Sequence, residues 1–277
     1  EMSPVEISKL KTGTRPLVVA PAPKPKTQIS YLNLALSPGT AFFMSNATAL
    51  LHTARALLQD ADTVTCFSGA GLSAESGIAT FRDTETHALW SRFDPMKLAS
   101  PEGFAESPST VIDWYNWRRQ TLAQAQPNAG HHTLAQQPQL VQITQNVDDL
   151  LERAGCDPKR IIHLHGTITR DRCHGGCGYS EAVDLAHPPG LRDCPRCGDS
   201  LRPAVVWFGE SLPQDAWQAA EQACAGSGCL LVIGTSASVY PAAGLIQLAR
   251  RRGARIILVN TQPSDASHLA DVELLGP

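Results

Sequence analysis

The chain has 277 residues, a formal net charge of −3 and eight cysteines. That length is enough for one large core and a small satellite module, and the weak charge leaves no electrostatic footprint for nucleic acid. No apolar run is long enough to span a bilayer, so a soluble globular protein is expected, with no nucleic-acid or membrane partner.

Residues 1–43 stand apart. Pro16, Pro21, Pro23, Pro25 and Pro38 alternate with Lys9, Lys11, Arg15, Lys24 and Lys26, and no acidic residue occurs between Glu6 and Asp60. Proline at this density prevents a packed helix, so a disordered extension before the fold is expected; an organelle transit segment is the alternative. Ser45 or Asn46 is then suited to cap a helix with apolar positions at Ala47, Leu50, Leu51, Ala54, Leu57 and Leu58. Apolar, β-rich runs follow near residues 64–67, 140–144, 161–164, 204–207, 230–234 and 255–260. Helical patterns near 108–124, 214–225 and 241–252 separate several of them. This alternation predicts an α/β fold, a doubly wound parallel sheet covered on both faces. Residues 44–165 and 203–277 are assigned to that Rossmann-like domain, with a helical lid over about 83–129, and residues 166–202 to a small metal module.

Four short segments carry chemistry. Gly69-Ala70-Gly71-Leu72-Ser73-Ala74 follows the first strand and fits the G-x-G-x-x-A turn that receives a pyrophosphate at a helix start. The chain then runs directly into Gly77-Ile78-Ala79-Thr80-Phe81-Arg82 rather than into a long helix and an acidic ribose ligand. Cys173, Cys177, Cys194 and Cys197 crowd into one window, whereas Cys66, Cys156, Cys224 and Cys229 are scattered. Paired cysteines suit a closed tetrahedral zinc site in a reducing compartment, with His174 inside the wider first pair as an alternative ligand. His165 in His163-Leu164-His165-Gly166 is expected at the C-terminal end of a strand, where open α/β sheets present their crevice, and His163 is expected to be a hydrogen-bonded core residue. Asn146 and Asp148 follow another strand; taken alone, Asp148 also reads as a helix cap.

Together, and in this order with Gly234-Thr235-Ser236, these segments resemble the sirtuins, the NAD-dependent protein lysine deacylases, from about Met44 onward. The resemblance implies two cofactors, NAD and one structural Zn²⁺. It implies that Gly69, Ala70, Gly71, Ser73 and Ala74 meet the pyrophosphate, and that Phe81 and Arg82 meet the reaction centre and phosphate or ribose. It also implies that Gln145 faces the ribose, that Asn146 and Asp148 bond the nicotinamide carboxamide, and that Gly234, Thr235, Ser236 and Asn260 serve the adenosine half. His165 is implied as the general base for a ribose hydroxyl, with Asn146 beside it. Acyl-lysine and NAD would give lysine, nicotinamide and O-acyl-ADP-ribose. Val206, Trp207, Phe208, Gly209 and Glu210 on one side, and Val239 and Tyr240 on the other, resemble the edges that receive acylated lysine peptides as an added strand. Tyr115 and Arg118 form a Y-x-x-R pair on one helical face and resemble the subgroup that removes succinyl, malonyl and glutaryl groups; an amphipathic helix with a solvated arginine is the bland alternative. ADP-ribose transfer to protein or water, and NAD sensing without turnover, are the rival functions. A cytoplasmic monomer is expected, with a mitochondrial location as the alternative, and relatives usually continue past Pro277 into further cofactor contacts.

Overall fold

The computed structural model describes residues 41–78 and 94–276. In chain order it contains α1 (Ala41–Asp60), β1 (Val64–Ser68), α2 (Gly71–Ala74), α3 (Pro95–Leu98), α4 (Pro101–Glu106), α5 (Pro108–Gln124) and α6 (Ala129–Ala135). These lead to β2 (Val141–Thr144), α7 (Leu150–Arg153), β3 (Ile161–His163), β4 (Gly166–Cys173), β5 (Ser180–Ala182) and β6 (Leu201–Val205). The chain then returns through α8 (Gln214–Ala225), β7 (Cys229–Ile233), α9 (Gly244–Arg251), β8 (Arg255–Asn260) and β9 (Val272–Leu275). α1 already runs from Ala41, so Ser45 and Asn46 sit inside it rather than capping it, a correction to the predicted start.

Six strands in the order β3-β2-β1-β7-β8-β9 form one parallel sheet. Successive strand residues face opposite sides, and the core divides accordingly. Phe67, Leu230, Val232, Ile256 and Leu258 pack under α8 and α9. Cys66, one residue earlier, packs with Leu72, Leu134 and Leu151 on the other face, while Ala54, Leu57 and Leu58 of α1 cover Cys229, Ile257 and Val272. Burying an apolar side chain contributes about 1.5–3 kcal/mol, so both covering layers are required to hold the sheet.

A second sheet, β5-β4-β6, is antiparallel. It claims Leu201–Val205, and the apolar run predicted near 204–207 therefore does not belong to the parallel sheet. That run is buried because it packs with α4 and α5: Val205 and Trp207 join Phe104, Val111, Ile112, Trp114, Tyr115 and Ile168 in a separate core. The first residues of the expected lid, 83–93, lie outside the described residues; the remainder carries α3, α4, α5 and the start of α6.

Two loops meet at the C-terminal edge of the parallel sheet. Gly71 donates its N–H to the Gly234 carbonyl at 2.8 Å, and Gly69 donates to Ile233 at 3.0 Å. A Cβ on Gly234 would stand 2.3 Å from the Leu72 nitrogen, and φ there is +61°. Gly234→Ala is therefore expected to destabilise the protein by about 1–3 kcal/mol through overpacking and backbone strain, read as a lower thermal midpoint.

Candidate active site

β1, β2, β3, β7 and β8 all deliver their C-terminal ends to the same edge, so Ser73, Asn146, His165, Thr235 and Asn260 converge although they are far apart in sequence. Ser73 is fully buried; its hydroxyl donates to Asp148 Oδ2 at 2.9 Å and accepts from Asn146 Nδ2 at 3.0 Å. The other Asp148 oxygen accepts the Leu150 N–H at 3.2 Å, so this carboxylate caps a turn and lines the site at once. Burial raises the Asp148 pKa, against the lowering effect of Leu150 and Ser73.

His131 joins this network and was not singled out from the sequence. Its Nδ1 accepts the Asn128 N–H at 3.2 Å, which leaves the proton on Nε2, 3.5 Å from the Ser73 hydroxyl. Burial pulls its pKa down to about 4, so the ring stays neutral. The signal available in the sequence was Asn128 three residues ahead of it, an N-cap whose Oδ1 accepts from Gly130 and His131.

The two histidines after β2 differ as their neighbours dictate. His163 contacts the Asn146 carbonyl at 3.2 Å through Nδ1 and Glu152 at 2.8 Å through Nε2. Both partners are acceptors, which calls for the doubly protonated ring. Burial lowers the His163 pKa, but Glu152 outweighs it and the net shift is upward. This pair stabilises the fold between the lowered Glu152 pKa and the raised His163 pKa: it is lost as pH falls through the first and as pH rises through the second. His165 instead donates Nδ1–H to the Gln145 carbonyl at 3.0 Å, which puts its lone pair on Nε2. Burial lowers its pKa, and the Gln145 contact offsets only part of that. The imidazole is thus a neutral acceptor near neutral pH.

On the other side of the crevice, Gln145 Nε2 donates to Thr235 Oγ1 at 2.9 Å, and Asn260 Nδ2 to the Thr235 carbonyl at 2.9 Å. Asn260 Oδ1 accepts from Thr261, so much of the amide expected to face a ribose is spent holding loops together. Ser236 contacts Ser238 at 2.8 Å. The glycine turn is engaged in the same way. Gly69 and Gly71 direct their N–H groups to the β7 loop, Leu72 and Ser73 bond back to Gly69 and Ala70, and α2 has only four residues. These glycines act first by permitting close loop contact, and a helix dipole of one turn adds little. Ala70 and Ala74 lie half-buried and exposed on that turn. Phe81 and Arg82 fall outside the described residues.

α5 carries Tyr115, fully buried, and Arg118, whose guanidinium lies 4.9 Å from the Trp114 ring centre and 5.6 Å from that of Tyr115. Burial lowers the Arg118 pKa, with Tyr115 and Asp148 opposing. Arg118 is therefore not the solvated arginine of an ordinary amphipathic helix. Of the two expected peptide edges, Phe208, Gly209, Val239 and Tyr240 are exposed. Trp207 is not: the residue is 2% exposed, which removes its side chain from that edge. The N–H groups of Val206, Trp207, Phe208 and Glu210 already bond to His165, Glu210, Ala99 and Trp207. An added strand would pair here through carbonyls and the Gly209 N–H.

Cys173, Cys177, Cys194 and Cys197 hold their sulfurs within 4.8 Å of one another, with closest pairs at 3.4 and 3.6 Å. Thiolates at about 2.3 Å from a tetrahedral zinc are about 3.8 Å apart, whereas a disulfide is about 2.0 Å long. The tetrad fits zinc with no coordination position left for water, so the metal's role is structural. His174 stands aside, its ring 5.0 Å from Phe104, and is not among the clustered ligands.

The parallel sheet, the inserted cysteine module and the carboxylate–hydroxyl–amide network define a nucleotide-site α/β protein with a structural metal. A Sir2 family profile matches residues 69–241. A "NAD-dependent protein deacylase" of Methylococcus capsulatus is 47% identical over 238 residues, covering 80% of this chain and 90% of that protein. "NAD-dependent protein deacylase 2" of Pyrobaculum aerophilum is 45% identical over 216 residues, covering 76% and 84%. Among solved structures, a Sir2 homologue in complex with NAD is 39% identical with a TM-score of 0.73, covering 86% of this chain and 90% of that one. A Sir2 protein bound to acetylated peptide is 26% identical with a TM-score of 0.69, covering 81% and 92%. The chain belongs to the Sir2 family.

The cysteine geometry predicts one zinc per chain by elemental analysis. Cys194→Ala is expected to lose both the metal and the soluble fold, since a structural site contributes folding energy directly.

Proposed function

We propose that this Sir2-family enzyme is an NAD-dependent protein lysine deacylase whose pocket favours acyl groups ending in a carboxylate: succinyl, malonyl or glutaryl. NAD-dependent deacylation follows from the family and from relatives that carry that name. The acyl preference rests on one observation, the half-buried Arg118 guanidinium packed beside the Tyr115 ring on α5. The guanidinium places a positive charge beside a phenol on one face of α5, and its planar fork suits a bidentate carboxylate. An acetyl group offers it nothing.

With NAD bound as the consumed co-substrate, Asn146 and Asp148 supply an amide and a carboxylate for the nicotinamide carboxamide. Ser73 and His131 support this role by fixing the orientation of both side chains. His165 takes a ribose hydroxyl proton on Nε2. What supports that role is the Nδ1–H bond to Gln145, which leaves Nε2 as the acceptor, and a pKa lowered by burial. Acylated lysine side chains of proteins are the substrate class.

Three outcomes are expected. His165→Ala abolishes product formation while NAD binding, measured by calorimetry, persists. In the wild type, the acid limb of kcat/KM falls below the ordinary imidazole value of 6.5, because the neutral base is lost only as pH drops through the lowered pKa. Arg118→Met lowers the ratio of desuccinylation to deacetylation at least about tenfold, in line with the roughly 2–5 kcal/mol typical for breaking a buried charge contact. Acetyl-lysine preferred over succinyl-lysine by the wild type, on matched peptides, would overturn the acyl assignment.

A further inference from the structure

Tyr115 and Trp207 pack together where α5 meets the small sheet, at 0% and 2% exposure. An indole nitrogen has a hydrogen to give and no lone pair to offer, so in its 3.0 Å contact with the Tyr115 oxygen Trp207 can only donate. The phenol accepts there, and its own proton is directed elsewhere. Among the described residues no acceptor takes it. A buried hydroxyl that has accepted a bond and has none to give loses free energy until an acceptor arrives.

The donor is firmly held. The Trp207 backbone N–H bonds to Glu210 at 2.9 Å, and the Arg202 guanidinium, itself paired with Glu210, lies 3.8 Å from the centre of the Trp207 ring. The Phe104 ring packs 5.2 Å away. The acceptor is held as firmly, through its helix. Arg119, fully buried, donates to the Ile168 carbonyl at 2.9 Å and to Asp171 at 2.6 Å, and Asn116 donates to the Pro189 carbonyl at 2.8 Å. Neither α5 nor the indole can turn without breaking these bonds.

We propose that Trp207 is a positioning residue for acyl selectivity: its indole N–H orients the Tyr115 hydroxyl so that the phenolic proton is offered to the distal carboxylate of the acyl group. The inference rests on the carboxylate-clamp reading given above, and it adds a direction to it: Arg118 supplies charge, Tyr115 supplies a donor, and Trp207 decides which way that donor faces. Burial pushes the Tyr115 pKa above its ordinary 10, against the pull of Arg118 and Trp207, so the phenol keeps its proton at neutral pH.

W207F preserves a ring in the core and removes the N–H. Values of kcat and KM on matched succinyl- and acetyl-lysine peptides, with thermal midpoints, would be compared for wild type, W207F, Y115F and W207F/Y115F. In W207F the KM for the succinyl peptide is expected to rise about three- to tenfold, the effect of one misdirected hydrogen bond, and the succinyl-to-acetyl ratio to fall by the same factor. On a Y115F background, W207F should change that ratio little, because the hydroxyl it acts through is already gone. Equal losses on both peptides, or additive effects on the ratio, would make Trp207 a packing residue while leaving the Arg118 reading intact. A wild type that turns over both peptides equally well would overturn the clamp and this role together. Should W207F fail to fold, the indole N–H resonance of Trp207 can be followed in wild type and Y115F; a resonance that Y115F leaves in place would overturn the proposal.

Discussion

The site exists because two backbones touch without side chains between them. Gly71 and Gly234 stand so close that a methyl group on either would lie within 2.7 Å of the opposing backbone, and a 2.8 Å hydrogen bond joins them. That contact fixes the loop after β1 against the loop after β7. Through Thr235 it also fixes Gln145 after β2 and Asn260 at the end of β8. Four strand ends therefore share one rigid rim. Ser73, two residues beyond Gly71, is carried into the buried position from which it orders Asp148 and Asn146.

The polarity of that rim follows from groups that cannot choose their role. The Asn128 N–H can only donate, so His131 Nδ1 accepts and its Nε2 holds the proton. The Gln145 carbonyl can only accept, so His165 gives up its Nδ1 hydrogen and is left basic at Nε2. His163 meets two acceptors, and although burial lowers its pKa, Glu152 outweighs that and favours the protonated ring. Burial is common to these rings, yet their states differ because their partners differ. Backbone geometry, set by strand ends and caps, is thus converted into proton positions.

What the sequence made legible was residue chemistry at element boundaries. The cysteine pairs, His165 after its strand, and the glycine turn each combine an uncommon residue type with a structural punctuation mark. Less legible was any role that depends on a partner distant in sequence. The run near 204–207 is as apolar as a parallel strand, and only its contact with α5 shows that it belongs to the other sheet. β4 contains Arg170, Asp171 and Arg172 and does not look buried, yet Asp171 is 3% exposed between Arg119 and Arg192. Arg119 itself reads as a solvated helix residue beside Arg118. The G-x-G-x-x-A motif describes the spacing of the glycines and says nothing of the end of β7 and the loop after it, which take the Gly69 and Gly71 hydrogen bonds.

α5 is where the metal module and the rest of the fold become one mechanical unit. Arg119 ties the helix to β4, which leads into the zinc tetrad, Asn116 ties it to Pro189 between the two cysteine pairs, and Arg118 is near enough to Asp148 to feel its charge. Breaking a buried pair such as Arg119–Asp171 by removing one partner leaves an uncompensated charge, at a cost of about 3–5 kcal/mol. The helix therefore has one favourable placement, and that placement holds only while β4 and β6 stay in register. A closed thiolate site that performs no chemistry can still fix where α5 sits, because the strands it staples are the ones that hold the helix bearing Tyr115 and Arg118.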